Sequence, residues 1–221
     1  MATFNENVRV NGTMTADGVY SDSATITNSM IATSAAIAGS KLAQGTNRAF
    51  ALPLESWEIH DAHRTVLTAT ANTDDLGYVP GTFASASPKI SAGDLKAAGA
   101  TTRYARRSVY VPGDYEDGET LTLRFWAGML TTIADNTCTL DVSAYLSDGA
   151  SGIGADLIST AATDINSTSL ANIDFLITPT GLVAGSKLLD VRIAIACNDA
   201  ATGTVVEPII GLSHLLVDTR G

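Results

Sequence analysis

The chain has 221 residues and a formal net charge of −10, which leaves room for one sizeable core and an appendage but not for two ordinary domains. An acidic field of this size opposes a nucleic-acid groove, so direct genome binding is not expected. Charged residues are 16% of the chain and Gly occurs 19 times; with abundant Ser, Thr and Asn and no Lys-, Glu- and Leu-rich helical periodicity, this composition indicates a β protein with many turns.

Met1 to Asn7 shows neither the basic nor the apolar region of a secretory signal, and no apolar run is long enough for a helical membrane span. The expectation is a protein made in a cytoplasm and kept there until it joins something larger, with no membrane partner. Residues 1 to 25 read as a short polar strand or hairpin, in which Val8, Val10 and Met14 alternate with Arg9, Asn11 and Thr13 about the turn-forming Asn11-Gly12. Ile26, Met30, Ile31, Ile37 and Leu42 then stand at partly helical spacing among small residues, which predicts a short helix or helical turns. Such a segment either packs on its own sandwich as a linker or buries its Ile and Met side chains against another subunit as an anchor. The second reading is preferred, and the chain divides into an arm, 1–48, and a β module, 49–221.

From residue 49 the apolar period becomes two. Ala49 to Ile59 reads as a first strand with Pro53 at its edge, and Thr65 to Thr70 and Tyr78 to Phe83 are weaker candidates. Ala84 to Thr102, rich in Ala, Ser and Gly, reads as a long loop or insertion. Tyr104 to Val111 leads into the acidic turn Pro112 to Gly118. Leu121, Leu123, Phe125, Ala127 and Met129 then share one parity against Thr120, Thr122 and Arg124, with Trp126 interrupting the outer face. The pattern recurs in Cys138, Leu140, Val142, Ala144 and Leu146, in Ile173, Phe175 and Ile177, and in Leu189, Val191, Ile193, Ile195 and Cys197. The last of these, turning through Asn198 to Thr204 into Val205 to Val217, predicts a hairpin. Roughly eight strands in about 170 residues, each with one apolar face, suit a two-sheet jelly-roll β-sandwich better than an immunoglobulin-like domain of about 100 residues. The fold class expected is therefore all-β, a jelly-roll β-sandwich behind an extended arm with a short helical segment.

Two stretches carry a resemblance. Val10-Asn11-Gly12-Thr13-Met14-Thr15 and Ile26 through Leu42 look like the segment that opens many phage virion proteins. Tyr110 to Gly118, Leu121 to Arg124, Leu182 to Leu188 and Asp199 to Thr204 resemble the jelly-roll domain of phage structural proteins over residues 109–217, with Ala84 to Thr102 as the departure. The resemblance implies a virion protein on the capsid surface, a decoration or head-fibre (minor capsid) protein. It implies a major capsid protein as partner, self-association as a homotrimer, and Val8, Val10, Ile26, Met30, Ile31, Ile37 and Leu42 as the capsid anchor. The alternative is a tail-fibre or receptor-binding module in which loops 84–102 or 147–168 hold a host glycan, with Trp57, Trp126 and Tyr145 as stacking residues; a free carbohydrate-binding module is a third reading.

Chemistry has few candidates. His60 and His63 have a zinc-like spacing without an evident third ligand, and Asp114, Glu116, Asp117 and Glu119 lack a calcium-loop pattern. Asp74-Asp75 and that acidic turn are the dense carboxylate groups, but an acid/base pair needs an opposed placement that spacing does not reveal. Ser213-His214 lacks a nucleophile-elbow context, and Gly149 to Gly154 lacks the lysine of a phosphate loop. No enzymatic activity, cofactor or metal is expected. Arg103, Arg106 and Arg107 form the one basic cluster, which either pairs with the chain's own carboxylates at a sheet edge or contacts an acidic neighbouring subunit. Cys138 and Cys197 read as buried reduced thiols, and a bridge between them requires strands that face each other. Asn11 and Asn166 stand in glycosylation sequons that carry little weight without a secretory route.

Overall fold

A computed structural model of the chain describes residues 46–132, 134–147, 154–200 and 204–219. The seven proposed anchor residues Val8 to Leu42 and the helix expected over 26–42 lie outside these. Ten strands are present among the described residues: β1 Thr46–Ala51, β2 Gly77–Val79, β3 Lys89–Ser91, β4 Ala97–Tyr110, β5 Leu121–Met129, β6 Thr137–Ser147, β7 Thr163–Asp164, β8 Ala171–Ile177, β9 Leu188–Asp199 and β10 Pro208–Thr219.

They form two antiparallel sheets. The first runs β2-β3-β10-β5-β8, with β1 beside β10, and the second runs β4-β9-β6-β7. From β3 onward the order β3-β10-β5-β8 over β4-β9-β6-β7 is the interleaved double Greek key of a jelly roll, so the expected fold class is the observed one. β1 and β3 share one side of β10, pairing with its Thr219 end and its Ile209 end respectively, while β5 takes the other side. The three together cover both edges of β10 along most of its length, leaving little of it open to strand addition.

Period-two patterning explains which faces meet. Leu121, Leu123, Phe125, Ala127 and Met129 of β5 face Cys138, Leu140, Val142 and Ala144 of β6 and Leu189 to Cys197 of β9 across the interior, all buried. Trp57, Phe125 and Phe175 form an aromatic chain through this core, with successive ring centroids 6.0 Å apart. Such offset and edge-on pairs add to area burial.

Several expectations are corrected. The strand expected over Ala49–Ile59 ends at Ala51; Pro53, which has no N–H for a ladder, instead accepts from Ser56 N and opens a 3-10 turn over Leu54–Ser56. Thr65–Thr70 forms only an isolated bridge at Val66, and the candidate at Tyr78–Phe83 is β2, ending at Val79 before Gly81 and Ala84 turn the chain at positive φ. The supposed loop 84–102 contains β3 and the start of β4; β3 is too short to display an apolar period, and the small Ala, Gly and Thr side chains that open β4 display none. The predicted hairpin is not one. β9 pairs with β4 and β6, whereas β10 pairs with β1, β3 and β5, so the chain crosses between sheets after Asp199. Two amphipathic strands joined by a polar turn look the same whether they pair edge to edge or stack face to face.

Candidate functional site

The outer face of β10, β5 and β8 carries the largest exposed aromatic side chain of these strands. Cross-strand register sets three rows: Leu212, Trp126 and Asn172; His214, Arg124 and Asp174; Leu216, Thr122 and Leu176. Trp126 is 42% exposed, Leu212 50% and Leu176 44%. The indole does not swing free. A bulge between Ile210 and Leu212 brings Gly211 beneath it, and a Cβ at Gly211 would stand 2.9 Å from Trp126 Cε3 and 3.8 Å from Leu170 Cδ2. Gly128 admits the 167–170 segment in the same way, since its Cβ would meet Ser167 O at 2.8 Å. Two glycines therefore let a ring and a loop lie down on the sheet.

Beside the indole, Arg124 Nε and Nη2 donate to Asp174 Oδ1 and Oδ2, each at 2.6 Å. Donation to Asp174 raises the guanidinium pKa above its ordinary value. The result is a flat, partly apolar surface with one fixed polar row. A second exposed aromatic, Phe83, projects fully from the turn closed by the Thr82–Ala86 bridge.

The outer face of the other sheet is polar and internally paired. Arg192 lies over Tyr104, 5.3 Å from the ring centroid, and reaches Ser143 Oγ at 3.5 Å; Arg106 Nε donates to Asp190 Oδ1 at 2.6 Å. The free edge of β4 is covered by two short segments: Glu58 and Arg106 exchange backbone bonds at 2.8 and 2.9 Å, while Tyr104 N donates to Asp74 O and Leu76 N to Tyr104 O, both at 2.8 Å. This brings His60 against the Tyr104 ring, centroids 4.8 Å apart, with its Nδ1 3.2 Å from Asp75 Oδ1. His60, Asp61 and Asp74 also offer ligand atoms within 4.8 Å of one another.

His63 is not in that group; its Nδ1 lies 3.4 Å from Glu58 Oε2, so the two histidines do not form the spacing-based pair. The acidic turn does not converge either. Asp114 pairs with Arg48, Asp117 Oδ1 accepts from Ala184 N at 2.8 Å, and between them Tyr115 is fully buried. The basic cluster divides by parity: Arg106 faces outward to Asp190, whereas Arg103 and Arg107 point to the inner side of the sheet edge. There Arg103 donates to Ala92 O, and Arg107 donates to Pro53 O at 2.9 Å and to Ser56 Oγ. Burial lowers the pKa of both.

Ser213 is buried, accepting from Trp57 Nε1 at 3.3 Å and donating to Leu52 O at 2.6 Å. Trp57 has no exposed surface, which removes it from the stacking candidates; Tyr145 is half-buried on the outer face of β6. Of the three aromatics singled out, Trp126 is the one presented to solvent. The sequence contained the signal in the outward parity of Trp126, but not the seat at Gly211 or the Asp174 partner of Arg124.

No family model and no curated protein matches the chain. Among solved structures it is similar to the Clostridium thermocellum N-terminal endo-1,4-beta-D-xylanase 10B CBM22-1-GH10 modules, at 12% identity over 79% of this chain and 28% of that one, with a TM-score of 0.39. It is similar to a xylan-binding module, CBM15, at 12% identity over 79% of this chain and 99% of that one, TM-score 0.42. It is also similar to a carbohydrate-binding module specific for non-crystalline cellulose, CBM28, at 12% identity over 75% and 86%, TM-score 0.35. The jelly-roll assignment rests on the strand order above.

Proposed function

We propose that this chain is a structural component of a phage virion, a capsid decoration or head-fibre protein whose N-terminal arm tethers it to the shell while the jelly roll makes lateral or capping contacts. The observation that carries the contact surface is Trp126, seated on Gly211 and exposed beside Leu212. An immobilised aromatic next to an exposed aliphatic, rimmed by a fixed ion pair, has the composition of an interface anchor: large apolar area at little cost in side-chain order. The resemblance of the arm and of residues 109–217 to virion proteins supplies the setting, with the major capsid protein and further copies of the chain, as a homotrimer, as partners. Function is then mechanical. Many modest contacts repeated under closed symmetry reinforce a shell.

A second reading is favoured by the same row of the sheet. A presented indole with the Asn172 amide beside it and the Arg124–Asp174 pair one row away can stack on a sugar ring and bond its hydroxyls, as a receptor-binding module for a host surface glycan requires.

The two separate in purified particles. Quantitative mass spectrometry against the major capsid protein, with antibody labelling in the microscope, is expected to find many copies on the head, and incorporation of the Trp126→Ala protein is expected to fall. A few copies at the tail, with binding to a host glycan that Trp126→Ala abolishes, establishes the second reading instead. Absence of the chain from particles overturns both.

A further inference from the structure

Cys138 and Cys197 are direct cross-strand partners in β6 and β9, and both side chains are fully buried. Their pairing type follows from where the Cys138 backbone points. Its carbonyl accepts from Ile165 N at 2.9 Å, on the side of β6 away from β9. In a strand the N–H and C=O of one residue point the same way, so Cys138 and Cys197 form a non-hydrogen-bonded pair of the β6–β9 ladder. In that pair type the Cα atoms approach to about 4.5 Å and the side chains are closest, which lies inside the span of about 4.4–6.8 Å that a disulfide bridges.

The two thiols also perturb each other. Interaction with Cys197, and then burial, holds the Cys138 proton well above the ordinary thiol range, while the same interaction eases loss of the proton from Cys197. Alternation alone needs only two small apolar groups here, and Ala or Val fits such positions as well. Two sulfurs placed opposite each other in the pair type that admits a bridge are a more specific arrangement.

We infer that Cys138 and Cys197 are a latent disulfide, reduced when the chain folds and closed by a small peroxide oxidant to staple β6 to β9 at the end of the sheet from which the chain leaves for β10. The thiolate sulfur of Cys197 attacks one peroxide oxygen; the O–O bond breaks, and hydroxide leaves and takes up a proton to become water. Cys138 sulfur then attacks the Cys197 sulfenic sulfur, the S–O bond breaks, and the oxygen leaves as a second water with the Cys138 proton. Two thiols lose two electrons and two protons, and one hydrogen peroxide becomes two waters. A peroxide fits where a bulky disulfide reagent does not, since neither sulfur is exposed and access depends on opening of the strand end. This inference stands whether or not the virion reading holds, because it uses only the ladder and the two side chains.

The experiment treats the reduced, purified full chain with hydrogen peroxide. Non-reducing peptide mapping is expected to find Cys138 linked to Cys197 within one chain, with loss of both titratable thiols. The melting temperature is expected to rise by about 5 °C or more, because the bridge closes a loop of about 60 residues, and the rise is expected to reverse with dithiothreitol. Cys138→Ser and Cys197→Ser proteins are expected to show no oxidant-dependent rise. Free thiols in native protein under conditions that bridge the urea-unfolded chain would overturn the inference, as would oxidation to sulfinic acid without a bridge, or bridges only between chains.

Discussion

Trp126 lies over Gly211: a Cβ built on the glycine would come within 2.9 Å of the indole Cε3. The contact joins neighbouring strands β5 and β10 at a bulge on the outer face of the sheet. It gives an exposed Trp a backbone seat on the sheet.

The Gly211→Ala protein is expected to fold, with the ring tilted off the sheet. The stability cost is about 0.5–1.5 kcal/mol, typical of a displaced rotamer at a surface position. Because Trp57 is fully buried, a change in the solvent-quenchable part of the tryptophan fluorescence on this substitution reports Trp126. Unchanged spectra show that the ring does not rest on Gly211.

Trp57 and Trp126 are expected to differ sharply as stability determinants. Trp57 packs against Phe125 and donates to Ser213 Oγ, which itself donates to Leu52 O. Trp57→Ala empties the centre of the core and is expected to cost about 3–5 kcal/mol. Trp126→Ala, on the solvent side, is expected to cost about 1 kcal/mol or less. Urea denaturation of the two proteins measures the contrast, and similar midpoints contradict the assignment of faces.

Arg106 and Asp190 are diagonal neighbours on the paired strands β4 and β9, joined at 2.6 Å, with side chains 30% and 18% exposed. A double-mutant cycle with Arg106→Ala and Asp190→Ala is expected to give a coupling of about 0.5–1 kcal/mol, reduced in molar salt. A coupling of zero at low salt places Arg106 outside the chain's own ion pairs and frees it for the intersubunit contact considered from the sequence.

Asp94 provides a pH test. Burial acts to raise its pKa, but backbone N–H bonds from Val206 and Lys96 and the Lys96 ammonium together outweigh it, and the folded-state value falls below the ordinary 3.8. A carboxylate with a depressed folded pKa contributes stability that is complete above its unfolded pKa and is lost as pH falls through the folded one. Asp94→Ala is therefore expected to lower stability at neutral pH by about 1 kcal/mol or less, because the group is solvent-screened. The difference from the parent protein shrinks below about pH 4 and vanishes at lower pH. Denaturant midpoints of both proteins across pH 2 to 7 measure it, and a gap that widens on acidification contradicts the sign.

How much was legible depended on side-chain size and on sequence distance. Leu121 to Met129 and Leu189 to Cys197 announced their inward faces because every second residue is apolar and most of those between are polar or small. β3 was invisible because its three residues are too few to show a period, and the start of β4 because Ala, Gly and Thr carry almost no apolar contrast, while the inward positions Arg103 and Arg107 reverse the expected polarity at a sheet edge. His60 and Asp75 were each noticed, yet their meeting depends on both segments binding the backbone edge of β4, and no local spacing encodes that.

By itself, the sequence determined that this is an all-β chain with strands of one apolar face each, because the period-two alternation is a local property of neighbouring side chains. Tertiary structure alone decided which strands pair and which stack. β9 and β10 are adjacent in the chain but fall in opposite sheets, Cys138 meets Cys197 across a ladder, and Trp126 finds a glycine rather than a side chain beneath it. Backbone hydrogen bonding is indifferent to side-chain identity, so pairing is chosen by the burial of all the apolar faces at once, a global condition that no single segment carries.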